Sequence, residues 1–317
     1  MRFKVVFRIL KETFDGWSED KASRLAAALA YYTVFSLAPL LILVIAIAGS
    51  VLGEEAARGQ VVGQLGQLVG TQGAEVIETV IASAGNPGKS AGILASLISI
   101  GVLIFGATGV FIQLQDALNT IWEVAPKPER NLKTFIFSRF LSFGMVMGIA
   151  FMLLVSLVIS AALAFLSKYL DGIAPGMEFV WSIVNICISF GVITLLFALM
   201  FKYLPDVKIA WGDVIIGAMI TALLFTVGKY VIGLYLGTST FSSAYGAAGS
   251  LVVLLFWIYY SAQIIFLGAE FTQVYARHYG SRIQPADYAV FVTEDARAQQ
   301  GLVSKELLEA SEKNTKR

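Results

Sequence analysis

YYTVFSLAPLLILVIAIAGSVL, residues 31–52, runs for 22 residues without a charged side chain. At about 1.5 Å of rise per residue, a helix of that length crosses the roughly 30 Å hydrocarbon core of a bilayer. Five more stretches repeat the pattern, at about 91–112, 138–166, 178–201, 212–236 and 250–272. Turn-forming clusters separate them, among them Asn86-Pro87-Gly88, Pro126-Lys127-Pro128, Pro175-Gly176 and Leu204-Pro205-Asp206. The expected fold class is therefore all-α, a polytopic membrane protein built as a bundle of six transmembrane helices. Residues 31–276 form the expected membrane domain. Residues 1–30 precede it, and residues 277–317 form a polar tail.

Composition agrees. Of 317 residues 57% are hydrophobic and only 14% charged, with a mean hydropathy of +0.75. A soluble domain carries roughly a quarter charged residues. The few charges are placed unevenly. With the N-terminus inside, the segments predicted to be cytoplasmic hold 19 of the 23 Lys and Arg. Those predicted outside hold Arg58, Lys89 and Lys168, and Lys229 lies within a span. This asymmetry orients both termini toward the cytoplasm. The N-terminal residues alternate basic and apolar types and lack the continuous apolar core of a cleavable signal peptide.

Two segments are expected to touch the membrane without crossing it. Over residues 2–17, Phe3, Val6, Phe7, Leu10, Phe14 and Trp17 recur at three- and four-residue steps, with Arg2, Arg8, Lys11 and Glu12 between them. That spacing suits an N-terminal interfacial helix. An amphipathic helical segment over 54–84, between the first and second spans, puts Val61, Val62, Leu65, Leu68, Val69 and Val76 on one stripe. It reads either as a cap on the bundle or as a platform for lipid headgroups or an envelope protein.

Polar groups inside spans are costly in hydrocarbon and so carry information. Lys229 and Asn185 sit at similar depth near the outer ends of the fifth and fourth spans. Gln263 is near the middle of the sixth. Glu270 approaches its inner end, at a depth comparable with Gln113 and Asp116 of the second. Each has a bland reading. Lys229 snorkels to the outer interface, and Asp116 and Glu270 are solvated helix ends, with Lys202 or Arg139 nearby. Together they could line a path for a charged headgroup whose acyl chains stay in lipid. Pro39 removes a helical hydrogen bond and predicts a kink that Ser36 accommodates; the pair are hinge candidates. Small residues mark helix contacts, as in Gly144-xxx-Gly148. Tyr31, Tyr32, Trp122, Trp181, Trp211 and Trp257 read as interface anchors.

Catalytic constellations are missing. One histidine, His278, cannot assemble a two-metal nuclease site, and one cysteine, Cys187, excludes a cysteine zinc cluster. There is neither a nucleotide-binding P-loop nor a Gly-x-Ser-x-Gly elbow. Net charge of +1 argues against a nucleic-acid surface. The expectation is no catalytic residue, no metal, no cofactor, no nucleic-acid partner and no enzymatic activity.

Specific strings then resemble one family. AAALAYYTVFSLAPL over 26–40, Asp116-Ala-Leu-Asn119 with Ile121-Trp122, and Lys202-Tyr-Leu-Pro205 with Trp211 are similar to the signature of the YihY/virulence factor BrkB family. So are Ser243-Ala-Tyr-Gly246, Trp257-Ile-Tyr-Tyr-Ser261 and Leu267-Gly-Ala-Glu270, in the same order along the chain. The resemblance covers about residues 20–280. It implies a six-span bacterial inner-membrane protein, with cell-envelope phenotypes and lipid transport as the role for some relatives, and it supplies no catalytic residue. A ribonuclease label once attached to the family finds no support in these residues. The leading expectation is a transporter or flippase of a lipid or lipid-linked envelope molecule, with membrane lipids as partners. The alternatives are a non-catalytic scaffold that recruits an envelope protein or a second copy of the chain, and a small-solute or ion carrier or channel.

Overall fold

Phe3–Glu19 form helix α1. It ends at Asp20 and Lys21, where Lys21 takes a left-handed conformation with φ of 51° and the chain restarts as α2, Ala22–Leu52. The first long helix thus begins nine residues before the expected span start at 31, with Arg24 in its first turn. A computed structural model describes residues 3–63, 78–79, 93–127, 178–238, 249–280 and 283–302. The elements after α2 are α3 (Ile93–Ile121), β1 (Val124–Pro126), α4 (Glu178–Tyr203), β2 (Val207–Lys208) and α5 (Trp211–Thr238). Then come α6 (Gly249–Tyr279), β3 (Gln284–Pro285), β4 (Ala289–Phe291) and α7 (Glu294–Gln299). Residues 54–63 are also helical, and Ala57, Val61 and Val62 pack beside Leu41, Ile45 and Ala48 of α2.

Among the described residues, three helices are long and apolar enough to cross a membrane: Ile186–Tyr203, Trp211–Ile232 and Leu251–Tyr279. The two arms of α2, Ala22–Leu37 and Pro39–Ser50, meet at 49° and make a fourth if taken as one bent span. Pro39 causes that bend, since its ring removes an N–H and crowds the preceding turn. α3 accepts the bend through two glycines. A Cβ on Gly106 would lie 2.8 Å from Pro39 Cγ, and one on Gly109 would lie 3.1 Å from Ser36 Oγ. The predicted third span over 138–166, with its Gly144-xxx-Gly148 motif, lies outside the described residues. So do residues 64–77 and 80–92, the 243–246 turn and the tail from 303.

Small residues decide how the helices meet. α2 packs on α3 and α6, α5 packs on α4 and α6, and α1 lies along α6. The α5–α6 seam is reciprocal. Gly217 faces Thr272 and Gly268 faces Thr221, and a Cβ on either glycine would overlap the opposing threonine. Each threonine hydroxyl donates to a carbonyl four residues earlier in its own helix, Thr221 to Gly217 at 2.8 Å and Thr272 to Gly268 at 2.6 Å. The polar atom is thereby satisfied while the two backbones approach closely. Ala218, Ala222, Ala262 and Ala269 extend the same close packing, all at 1% exposure or less.

Three expectations change. The all-α reading is amended by two short antiparallel pairs, β1 with β4 and β2 with β3. They fold the first part of the tail back onto the bundle, with Ala289 paired to Pro126 and Gln284 to Lys208. Strands of two or three residues containing proline and glutamine carry no readable alternation. Trp122, expected as an interface anchor, is instead 1% exposed inside the core with Leu118, Phe201 and Phe266. Glu270 is no solvated helix end, because α1 covers it: a Cβ on Gly16 would lie 2.8 Å from Glu270 Oε2.

Placing a methyl at Gly217 should therefore push the α5–α6 pair apart. We expect Gly217→Ala to cost about 1–3 kcal/mol, typical of overpacking, as a lowered unfolding temperature in detergent. Thr272→Ala on that background should recover part of the loss. Full stability of the single variant would contradict the seam.

Candidate functional site

Two polar features stand out, at separate places along α6. The first is Lys229. Beyond Gly228, where a Cβ would lie 2.6 Å from Ile264 Cδ1 and 2.9 Å from the Tyr260 hydroxyl, the α5–α6 seam ends in a shallow crevice too tight to hold a water molecule. Lys229, Phe225 and Ile232 line one wall; Trp257, Tyr260, Ser261 and Ile264 line the other. Phe225 meets the Trp257 ring edge to face at 6.3 Å. Lys229 is half-buried, with its ammonium 5.7 Å from the centre of the Tyr230 ring. Among the described residues no carboxylate pairs with it. Val227, Tyr230, Val231 and Leu234 around it are exposed, so the cleft opens on an apolar surface.

The second feature is a buried ionic network where α1, α3, α6 and the tail converge. α7 is capped by Thr293, whose hydroxyl accepts from the Ala296 N–H at 3.3 Å. It directs Arg297 inward to an ion pair with Asp20 at 2.6 Å, both side chains nearly inaccessible. Arg297 also lies 3.9 Å from Glu123 Oε1, which receives Arg277 at 3.2 Å. Glu123 reaches this position because it adopts a left-handed φ of 55° just after α3. Glu270, 1% exposed, sits behind Asp20, and its Oε1 has no hydrogen-bond donor among the described residues. Burial pushes the Asp20 carboxyl from 3.8 up to about 6, against the opposing pull of the Arg297 guanidinium. A cavity of about 190 Å³ adjoins the network, lined in part by Asp116, Asn119, Glu123, Arg297 and Gln300.

Beside it, Asp206 is a second hub. Its carboxylate accepts from Gln115 Nε2 and Asn119 Nδ2, each at 3.0 Å, and from the Tyr288 hydroxyl at 3.1 Å. Its own N–H donates to Asn119 Oδ1 at 2.8 Å, and its carbonyl accepts from the Ala286 N–H. The loop after α4, the end of α3 and the tail are thus tied at one side chain.

The sequence-derived candidates fall into different places. Asp116 and Glu270 come to the same end, both close to Arg297. Asp116 is exposed, whereas Gln113 and Gln263 are half-buried, and Gln263 Oε1 lacks a donor among the described residues. Lys229 stands apart from them in its own cleft. Asn185 is on α4, and its side chain lies outside the described part of the structure. Lys202, expected near the acidic helix ends, instead donates to the Ile209 carbonyl and lies 5.8 Å from the Trp211 ring centre. Asp20, Arg297 and Asp206 were missed. A solvated-looking linker or tail charge gives no signal of burial, although Asn119, Pro205 and Glu270 all fall in the strings that resemble one family.

Known proteins were compared with the chain. A family model described as Virulence factor BrkB matches residues 13–290. A UPF0761 membrane protein of Ralstonia nicotianae is 26% identical over 255 residues, 79% of this chain and 55% of that protein. One from Psychrobacter is 26% identical over 287 residues, 86% of this chain and 51% of that protein. One from Pseudoalteromonas translucida is 27% identical over 256 residues, covering 80% of this chain and 81% of that protein. The chain thus spans only about half the length of the first two. No solved structure matches.

Because the folded state holds Asp20 with a pKa raised from 3.8 to about 6, its contribution to stability is full below the unfolded value and disappears as pH rises through the folded one. Unfolding temperature in detergent should therefore fall between about pH 4 and pH 6 and level off above. Asp20→Asn should flatten that part of the profile. A wild-type profile that rises over the same window would contradict the burial of Asp20.

Proposed function

The chain belongs to the virulence factor BrkB family of membrane proteins, and on that premise we propose that it carries an anionic lipid or lipid-linked envelope molecule across the bacterial inner membrane. The observation that supports this is the Lys229 cleft. An ammonium inside a membrane span is costly unless it finds an anion or reaches water. Here it sits half-buried between α5 and α6, without a carboxylate among the described residues, beside an apolar face. A phosphate headgroup would pair with Lys229 at the outer edge of the crevice, which as it stands is closed to the headgroup itself, while the acyl chains lie against the exposed Val227, Val231 and Leu234.

The proposed arrangement has six spans, with α1 in the cytoplasmic interface. The exposed side of α1 supports the latter: Phe7, Leu10 and Phe14 are more than half exposed and Lys4 and Lys11 lie among them. That pairing of apolar and basic groups suits an anionic lipid surface. Chemistry is not part of the proposal; the protein acts as a carrier and not as an enzyme. A scaffold reading has one observation in its favour, the alanine- and glycine-filled seams described above.

Transport is testable in liposomes of phosphatidylethanolamine and phosphatidylglycerol that contain the full-length protein and a fluorescent phosphatidylglycerol. Lys229→Met should fold normally, with stability level or higher, since charge placement costs about 3 kcal/mol at a span centre and less toward the interface. It should lose translocation roughly tenfold or more. Lys229→Arg should keep part, because the charge remains while the compact ammonium is lost. Full translocation by the Met variant would remove Lys229 from the path.

A further inference from the structure

The ionic network at the end of α6 has an unbalanced charge. Asp20, Glu123 and Glu270 supply three carboxylates, and Arg277 and Arg297 supply two guanidiniums. Arg297 is committed to Asp20 at 2.6 Å, and Arg277 to Glu123 at 3.2 Å. Glu270 is left over. It is 1% exposed, Oε1 has no donor among the described residues, and Oε2 is pressed against Gly16 of α1. A fully buried carboxylate with an oxygen that has no donor, and with the nearby guanidinium already paired to Asp20, is costly by several kcal/mol. Glu270 Oε2 lies against Gly16, whose carbonyl accepts from the Asp20 N–H at 2.8 Å, so the buried Asp20 and Glu270 carboxyls are neighbours, and two neighbouring buried carboxyls are relieved by a proton held between them. That proton brings the cluster to neutrality. Among the described residues no set of His, Cys, Asp and Glu forms a metal site that would do so instead.

We propose that Asp20 and Glu270 form a proton-binding site, and that loss of its proton releases the latch by which Arg297 holds the tail against the N-terminal helix. With both carboxylates ionised, one guanidinium faces two buried negative charges. Gly16 leaves no slack for Glu270 to turn away, so relief comes from separation of α1 and its linker from α6. The tail holds that linker through Arg297 on Asp20 and through Lys21 Nζ, which donates to the Gly301 carbonyl at 2.5 Å. Among the described residues, the other charged groups facing the site are Glu123 and, across the adjoining cavity, Asp116 from α3, Arg277 from α6, Glu294 from α7 and Lys21 of the linker. None is a second cation next to Glu270. Burial alone would call for a neutral carboxyl; the contact with Asp20 makes the proton shared and ties it to the ion pair. The site does not depend on what the bundle transports, so failure of the lipid reading leaves it standing.

The test is a distance measured between α1 and α7 in the full-length protein in nanodiscs of phosphatidylethanolamine and phosphatidylglycerol. Ser18 and Gln299 are both exposed, and Ser18→Cys with Gln299→Cys on a Cys187→Ser background accept spin labels. At pH 5 one short distance is expected, and at pH 8 a second, longer population. Glu270→Gln supplies a permanent N–H donor to Asp20 and should hold the short distance at both values. Should that variant fail to fold, Asp20→Asn removes one of the two charges together with the anion that holds Arg297, so the longer population should be present at pH 5 and pH 8 alike. An unchanged wild-type distribution from pH 5 to pH 8, or a pH response that survives in whichever variant folds, would overturn the proposal.

Discussion

Close approach of α5 and α6 is the constraint on which the other features depend. Inside lipid, helices gain little by hiding apolar surface, so contact must come from backbone proximity and satisfied polar atoms. Gly217 with Thr272 and Gly268 with Thr221 provide both, since each hydroxyl is returned to its own helix and each glycine yields the space it needs. The seam runs on to Gly228 against Tyr260 and Ile264. One residue later Lys229 lies at its margin, beside a crevice too tight to hold a water molecule. A tight seam ending at a half-buried ammonium leaves one charge beside an exposed apolar face.

At the other end of α6 the requirement is different. Four separate pieces of chain meet there: α1 with its linker, the end of α3, the loop after α4 and residues 283–302. Apolar burial of Trp122, Val124, Leu204 and Val207 brings them together, and buried charge fixes their register. Arg297 on Asp20 ties the tail to the linker, and Asp206 ties Gln115, Asn119 and Tyr288. Such pairs are weak evidence for net stability but strong evidence for registry, because removing one partner strands the other. A bundle that must keep a bent first helix against α3 and a folded tail against α1 has use for that registry.

The sequence made some of this legible and hid the rest for identifiable reasons. The runs around 31–52, 178–201, 212–236 and 250–272 coincide with helices because twenty apolar residues have few alternatives in a membrane. Pro39 announced its bend. Lys229 stood out as a cation in hydrocarbon, and Glu270 as a carboxyl in a span, yet the burial of Glu270 depends on Gly16, some 250 residues earlier. Asp20 and Arg297 lie in polar stretches where any charge looks solvated, and only the antiparallel pairing of β1 with β4 brings them together. Trp122 illustrates the same limit. Next to a helix end it has the composition of an interface anchor, but the returning tail covers that end.

The most direct measurement is photolabelling of the full-length protein in liposomes with a phosphatidylglycerol that carries a diazirine at its headgroup, read by peptide mass spectrometry. Headgroup recognition at Lys229 predicts label on residues 225–232 and 257–264, and its disappearance in Lys229→Met. Label that avoids both segments, or that is undiminished in Lys229→Met, would contradict a lipid site in this cleft.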